Sequence, residues 1–411
     1  MGDLDRIRKS GPRQTQRTPS VNWRENINEE DKNFLKEMAE GKEQKVSADP
    51  DNFDRDIVAP KQKQIKSLAF LPRADRVLLA CGDNTGCVAL WPPSSGVKQE
   101  DAGEKTITYQ PHLRPVSQLL FTEPSKLLSA STDGGVRMFD LNSATYSSVK
   151  TTNTKDPLRS LALSSSSQVY YAGCGDGGLR VVDLRAGQRT GEKIHLHKEA
   201  INSVHQHPHL EHCVVTASSD HSVRLWDARK FEYYDTPPLI NQYASNSVNC
   251  AYFSPNGEWL VTVCRRSRPN YNFCFRGPVS EYPAITVYDT STLSLDAAEL
   301  TETARIGVCR FSTSKLKAAW EPKRPNLFAA GCFGRPRRTQ IFQADKSQPV
   351  RELVSDSFDF VTSDLVFHPH LELIAGCTDD SGASGKLALW RGKKAASSDE
   401  SKVKAEKIEI A

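Results

Sequence analysis

No stretch of about 18 consecutive apolar residues occurs in the chain, so no helix of membrane-spanning length is encoded. Met1 to Gly41 hold no apolar core, which argues against a secretory signal and predicts a chain on the reducing side of the membrane. The ten cysteines include no Cys-x-x-Cys pair. Three of them precede a small residue and an Asp, at Cys81, Cys174 and Cys377, as small buried thiols at one point of a repeat would. Neither sign of charge dominates: 54 Lys and Arg stand against 50 Asp and Glu, a balance of +4 that permits an acidic partner without requiring one. Gly-x-Ser-x-Gly and Gly-x-x-x-x-Gly-Lys are missing too, so neither a nucleophile elbow nor a phosphate loop is present. The expectation is no enzyme, no catalytic residue, no metal, no cofactor and no small-molecule substrate.

What recurs instead is a unit. An alternating apolar strand leads to a turn, a second strand runs to Gly or Ser and Asp, and a third ends in Trp-Asp or a variant. The first strands are read at Ile65–Phe70, Val116–Phe121, Leu158–Leu163, Ile201–Gln206, Val248–Phe253, Leu316–Trp320 and Thr362–Phe367. Third strands end at Trp91, Asp140, Asp183, Asp227, Asp289, Phe342 and Trp390. Most units start 42 to 51 residues apart, as residues 65, 116, 158, 201 and 248 illustrate. That is the period of a four-stranded blade, so the fold class is all-β: a seven-bladed WD40-type β-propeller over residues 54–391. The fourth unit carries His197, Ser218, Asp220 and Trp226, which in such blades hydrogen-bond one another and pin the turn; other units keep the Asp as Asp83, Asp133 and Asp176. Asp54 to Pro60 is expected to supply the outermost strand of the last blade and close the ring.

Outside the ring, residues 1–19 form a basic arm, with five Lys or Arg against Asp3 and Asp5, and are expected to be disordered. Residues 392–411 are a mixed-charge tail expected to be disordered as well. Between arm and ring, residues 20–41 read as a helix with Ser20 as N-cap and Gly41 as stop. Trp23, Ile27, Phe34 and Met38 fall near one face, an apolar stripe hung outside the propeller and offered to a protein partner.

Four histidines, His205, His207, His209 and His212, resemble a metal cluster. But His207-Pro208-His209-Leu210 recurs as His368-Pro369-His370-Leu371, which makes it the turn after a first strand. The fifth unit carries an insertion, Arg265 to Tyr282, with Arg265, Arg266, Arg268 and Arg276 among Tyr271, Phe273 and Phe275. The sixth holds Lys315, Lys317, Lys323 and Arg324, then Gly334-Arg335-Pro336-Arg337-Arg338. Arginine forks bond phosphate and aromatic rings stack on bases, so basic loops on one rim would make a nucleic-acid face. Trp226-Asp227-Ala228-Arg229 is a WDxR box and Asp183-Leu184-Arg185 a degenerate one. Each offers either a local ion pair or a docking point.

Leu316-Lys317-Ala318-Ala319-Trp320-Glu321-Pro322, Gly331 and the Gly334–Arg338 run resemble the sixth blade of the family containing the small damaged-DNA-binding subunit and WD-repeat protein 76. Trp23-Arg24-Glu25-Asn26-Ile27 with Phe34-Leu35-Lys36 resembles the helix that precedes the propeller in the second branch. The resemblance covers residues 20 to 391. It implies a nuclear protein that binds DNA, damaged DNA in part of the family, in the DNA damage response. It also implies an adaptor that docks other nuclear proteins and the large damaged-DNA-binding adaptor of cullin-4 ubiquitin ligases, the latter through Arg229 and Arg185. Lys198 matches a basic DNA contact of the family, and Arg310 to Lys315 match its wedge hairpin, keeping the Phe as Phe311 but not the following Gln and His. The DNA-binding set is therefore Lys198, Arg310, Phe311, Lys315, Arg335, Arg337 and Arg338. The partner-binding set is Trp226, Asp227, Arg229, Arg185, Trp23, Ile27 and Phe34. A protein-interaction scaffold without DNA affinity is the alternative, and salt dependence separates the two.

Overall fold

A computed structural model describes residues 29–40, 53–54, 64–93, 106–149, 156–164, 169–183, 190–231, 236–265, 284–307, 316–332, 337–354, 361–378 and 386–392. Among the described residues, twenty-eight strands form seven four-stranded antiparallel sheets. Within six of these blades the strands lie in chain order, so the first strand is innermost and the fourth outermost. The inner strands are Ile65–Phe70, Val116–Glu123, Leu158–Leu163, Ile201–Gln206, Ser247–Phe253, Ala318–Trp320 and Thr362–Phe367, where the repeat predicts them. They surround a central channel of about 640 Å³. Neighbouring inner strands run parallel in one register: Leu119 N donates to Ser67 Oγ at 2.7 Å, and Ala251 N to Ser203 Oγ at 2.9 Å. Each blade buries both faces against its neighbours, so second strands such as Leu373–Thr378 are buried throughout, whereas the outermost strand Thr145–Val149 is largely exposed.

Six inner strands carry a β-bulge near their start, as the register steps from Leu158 to Ser160 and from Ile201 to Ser203 show. The turn between second and third strands is equally regular. Gly86, Gly134, Gly177 and His221 occupy one position of it with φ of +91°, +85°, +87° and +68°. Asp133, Asp176 and Asp220 precede that position, and each carboxylate accepts the amide two residues on. Blade one departs from the predicted pattern. Asp83 pairs in register with Ile65, as Ser218 does with Ile201, so it occupies the serine's place and Thr85 the aspartate's. Asp83 compensates by accepting from the amides of both Thr85 and Cys87, at 2.8 and 2.9 Å. Cys81, Cys174 and Cys377 are free, buried thiols, and burial pushes Cys174 up to about 11. They do not share a repeat position, because they pair with Leu68, Leu158 and Asp364 at three different levels.

The ring closes where the ends of the chain meet. Phe53–Asp54 pairs with Leu387–Gly392, Phe53 facing Gly392 and Asp54 facing Arg391, and so completes the seventh sheet. Residues 55–60, expected to share this role, lie outside the described residues, as do the arm 1–19 and the tail beyond 392.

The helix is described as Glu29–Glu40; residues 20–28 and Gly41, with the Ser20 cap, Trp23 and Ile27, lie outside the described residues. Glu29, Glu30 and Asp31 sit in the first turn, where the helix dipole favours them, and the last turn has no basic residue of its own. Blade one supplies the missing cations. Arg73 Nη1 donates to the carbonyl of Ala39 at 2.6 Å, and Arg76 Nη1 to that of Glu37. Asp75 holds both guanidiniums, at 2.9 Å to each Nε, and the Arg73 hydrogen bond foremost keeps its carboxyl down at about 2. The apolar stripe consequently faces inward. Leu35, Met38 and Ala39 are buried against Leu71, Leu78, Tyr109 and Leu141, and Phe34 packs on the same cluster. The expectation of a stripe hung outside is corrected here, and Phe34, offered to an external partner, is engaged within the chain.

Candidate nucleic-acid interface

Strand direction sorts the candidate residues between two faces. In blade four Ile201–Gln206 leads away from Lys198, Cys213–Ser218 returns, and Ser222–Asp227 leads away again. Lys198 therefore stands on the face where inner strands begin, and Arg229 on the opposite face. Blade six follows the same course: Leu327–Cys332 ends and Arg338–Gln343 begins on the Lys198 face. Arg337 and Arg338 lie there. Arg310, Phe311 and Lys315 lie outside the described residues, between Thr301–Gly307, which ends on that face, and Ala318–Trp320, which begins there. Arg335 is outside the described residues too.

The loop bearing Lys198 is fixed by a polar chain that crosses blade four. Trp226 Nε1 donates to Thr216 Oγ1 at 2.8 Å, and Thr216 Oγ1 lies 2.6 Å from His197 Nε2. His197 Nδ1 lies 3.0 Å from Asp220 Oδ2, which also accepts the amide of Lys198 at 3.2 Å. Burial works to raise Asp220, but hydrogen bonds from His197 and Ser222 hold it far below the usual carboxylate range. Burial lowers His197, which fits a neutral imidazole donating from Nδ1 to the carboxylate and accepting at Nε2. Thr216 is the hub, and Ser218, predicted to belong to the chain, joins it by accepting the amide of Asp220 at 3.1 Å while donating to the carbonyl of Glu199 at 3.0 Å. Blade two repeats the motif: His112 Nδ1 meets Asp133 at 3.1 Å, and Nε2 meets Ser129 Oγ at 2.8 Å. The spacing His112 to Val116, identical to His197 to Ile201, is the signal that reveals it.

Blade two also contributes contact groups. Leu113 takes the place of Lys198, its amide bonded to Asp133 and its side chain exposed, and Arg114 beside it is exposed. On the outer rim of the same face Tyr243, paired with Ser222, is exposed. Arg338 is partly engaged, with Nε 3.3 Å from Glu352 of the outer strand.

Three basic residues of blade six fall elsewhere. Lys323 and Arg324 belong to the turn after the inner strand, on the opposite face, where Lys323 pairs with Glu372 at 3.4 Å and Arg324 with Glu321 at 2.8 Å. Lys317 turns into the channel. Its Nζ lies 3.4 Å from Asp364 of blade seven and 3.4 Å from Gln118 of blade two, tying three blades together. Asp364 is the one carboxylate among the described residues lining the channel.

On the opposite face Asp227 caps the short 3₁₀ helix Ala228–Lys230 and accepts from Arg229 Nε and Nη2 at 2.9 and 2.7 Å. Asp227 is buried, held at about 2 by that pairing, while the Arg229 side chain is 54% exposed. The local ion pair thus exists, and it leaves the guanidinium presented to solvent. Arg185 lies outside the described residues. The histidine motifs are turn elements, as predicted. His207 Nδ1 accepts the amides of His209 and Leu210 at 3.1 and 3.0 Å, and His368 Nδ1 those of His370 and Leu371 at the same distances.

Comparison with known proteins agrees with this architecture. The family described as WD domain, G-beta repeat, a repeat module rather than a catalytic one, matches residues 189–227 and 238–267. WD repeat-containing protein 76 of Rhinolophus ferrumequinum is 28% identical over 90% of the chain and 55% of its own length. The mouse protein of that name is 31% identical over 79% of the chain and 49% of its own length. DNA damage-binding protein CMR1 of Phaeosphaeria nodorum is 26% identical over 83% of the chain and 67% of its own length. The chain spans about half the length of the first two. With seven blades in place, the chain is a WD40-repeat propeller whose curated homologues are WD repeat-containing protein 76 and DNA damage-binding protein CMR1.

Proposed function

We propose that the protein is a two-faced adaptor of the nucleus, laid on DNA by the Lys198 face and offering the Arg229 face to a protein complex. The observation that carries this is the chemistry exposed where the inner strands begin. Lys198 and Arg114 are exposed with no carboxylate partner among the described residues, and Leu113 and Tyr243 of the same face are 56% and 66% exposed. Unneutralised cations interleaved with apolar and aromatic groups suit a phosphate backbone with bases at its edge. The curated relatives named for DNA damage binding support DNA as the ligand class, and with it a place in the damage response and in repair. On the other face Arg229, held rigid by Asp227, is the docking point for the damaged-DNA-binding adaptor of a cullin-4 ligase.

A titration of the full chain into labelled intact and lesion-bearing duplex tests the DNA half. With about four phosphates engaged, log affinity falls against log salt with a slope of about −3.6. No shift of either duplex at low salt refutes it and leaves a protein-interaction scaffold. Arg229→Ala leaves duplex binding unchanged and removes the ligase adaptor from co-purified material; retention of the adaptor refutes the docking assignment.

A further inference from the structure

Near the start of each inner strand, on the Lys198 face, one residue takes an equivalent place, and in six blades it is the bulged one. In blade order these are Lys66, Ser117, Arg159, Asn202, Asn249, Lys317 and Ser363, three cations and no carboxylate. Lys317 is answered by Asp364 one step deeper. Arg159 is not answered. The bulge between Leu158 and Ser160 sets it out of the ladder, as bulges re-aim a side chain. It is half-buried, its Nε is shielded from solvent without an acceptor, and no ion pair joins it to any described carboxylate. Its charged neighbour is a second guanidinium, Arg265, the last residue of Trp259–Arg265, which pairs with Ser247 on the same face. Asn202, between their blades, spends its amide on Val248 O and Ser219 Oγ and brings no negative charge. Burial, and then Arg265, lower the proton affinity of Arg159.

A guanidinium in that position is costly unless an anion completes it. Two together suit the non-bridging oxygens of one phosphoryl group, each fork taking an oxygen. Continuation of the cationic series outward, at Arg114 and Lys198, matches a repeating polyanion better than a single acidic side chain.

We infer that Arg159 and Arg265 form an anion pocket on the Lys198 face that takes one phosphodiester of a nucleic acid laid across it. The inference rests on the DNA reading above and adds a site to it. The test is a duplex titration of the full chain carrying Arg159→Gln with Arg265→Gln, beside Lys198→Gln and the opposite-face control Lys323→Gln. The double variant should bind roughly tenfold to a hundredfold more weakly, with a salt slope flatter by about 1, while the control is unchanged. Without DNA its melting temperature should equal or exceed that of the parent, because an unanswered charge has been removed; Arg159→Lys should keep most of the affinity. Unchanged affinity and slope in the double variant, with Lys198→Gln weakened, overturns the pocket and spares the DNA reading. Failure of the unmodified chain to bind duplex, or its capture of a poly-glutamate peptide in place of duplex, overturns both.

Discussion

Thr216→Val isolates the polar chain that fixes the Lys198 loop. Valine keeps the shape of threonine and removes only the hydroxyl, so little cavity is created. Two buried groups then lose their partners: Trp226 Nε1, in a ring 1% exposed, has no acceptor, and His197 Nε2 has no donor. Each orphaned group costs about 1–3 kcal/mol, so about 2–6 kcal/mol is lost within one network. Against a total on the order of 5–15 kcal/mol, that is a large shift in the urea midpoint at pH 7. Thr216→Ser keeps the oxygen and loses a methyl group, a cost of about 1 kcal/mol. The Lys198 amide is bonded to Asp220 in the same chain, so the Val variant should also bind duplex more weakly than the Ser variant. A Val variant as stable as the parent, or a Ser variant damaged equally, refutes Thr216 as the hub.

Gly177→Ala should destabilise by about 2 kcal/mol or more and weaken duplex binding. Its φ is +87°, and a Cβ there would stand 2.1 Å from the carbonyl of His197; an unchanged melting curve contradicts this. Asp75→Asn should cost about 1–3 kcal/mol and speed proteolysis within Glu29–Glu40 before the propeller opens, because Arg73 and Arg76 lose their organiser; equal cleavage rates would contradict the clamp. Burial lowers His112, His197, His205, His207 and His368, with His205 down to about 4 and His368 to about 3. The unfolded chain therefore binds more protons between about pH 6.5 and 4, so stability falls as pH drops through that window. Each such histidine contributes at most about 1.4 kcal/mol per pH unit. The slope of urea midpoint against pH should flatten in His205→Gln, and an unaltered slope counts against the assignment.

The blades were legible because period-two apolar runs and Gly or Asp turns are local signals, and they recur. What escaped depends on register. Nothing near Thr216 announces that it faces both His197 and Trp226, and Asp83 looks like Asp133 until its pairing with Ile65 moves it two places. Lys323 and Arg324 read as part of a basic rim because charge is visible in sequence and strand direction is not. Lys317 meets Gln118 across 199 residues, a contact that exists only once the ring has formed. The helix stripe was found, but its direction was not, since Arg73 and Arg76, which turn it inward, lie more than thirty residues away. Of the nucleic-acid set, Lys198, Arg337 and Arg338 came together on one face, while Leu113 and Arg114 were missed for want of a basic motif around them.

Phe53 and Gly392 are neighbours in space and 339 positions apart in the chain. A ribosome would release the first of these residues long before the second, so the two-residue strand at the start must wait for nearly the whole chain before it has anything to pair with. Until then blade seven has an unfinished border, open to pairing with a strand from another molecule. Assembly of the ring is therefore completed by its last-made strand, and a chain cut short after blade six would be a sheet stack with two raw ends rather than a smaller propeller.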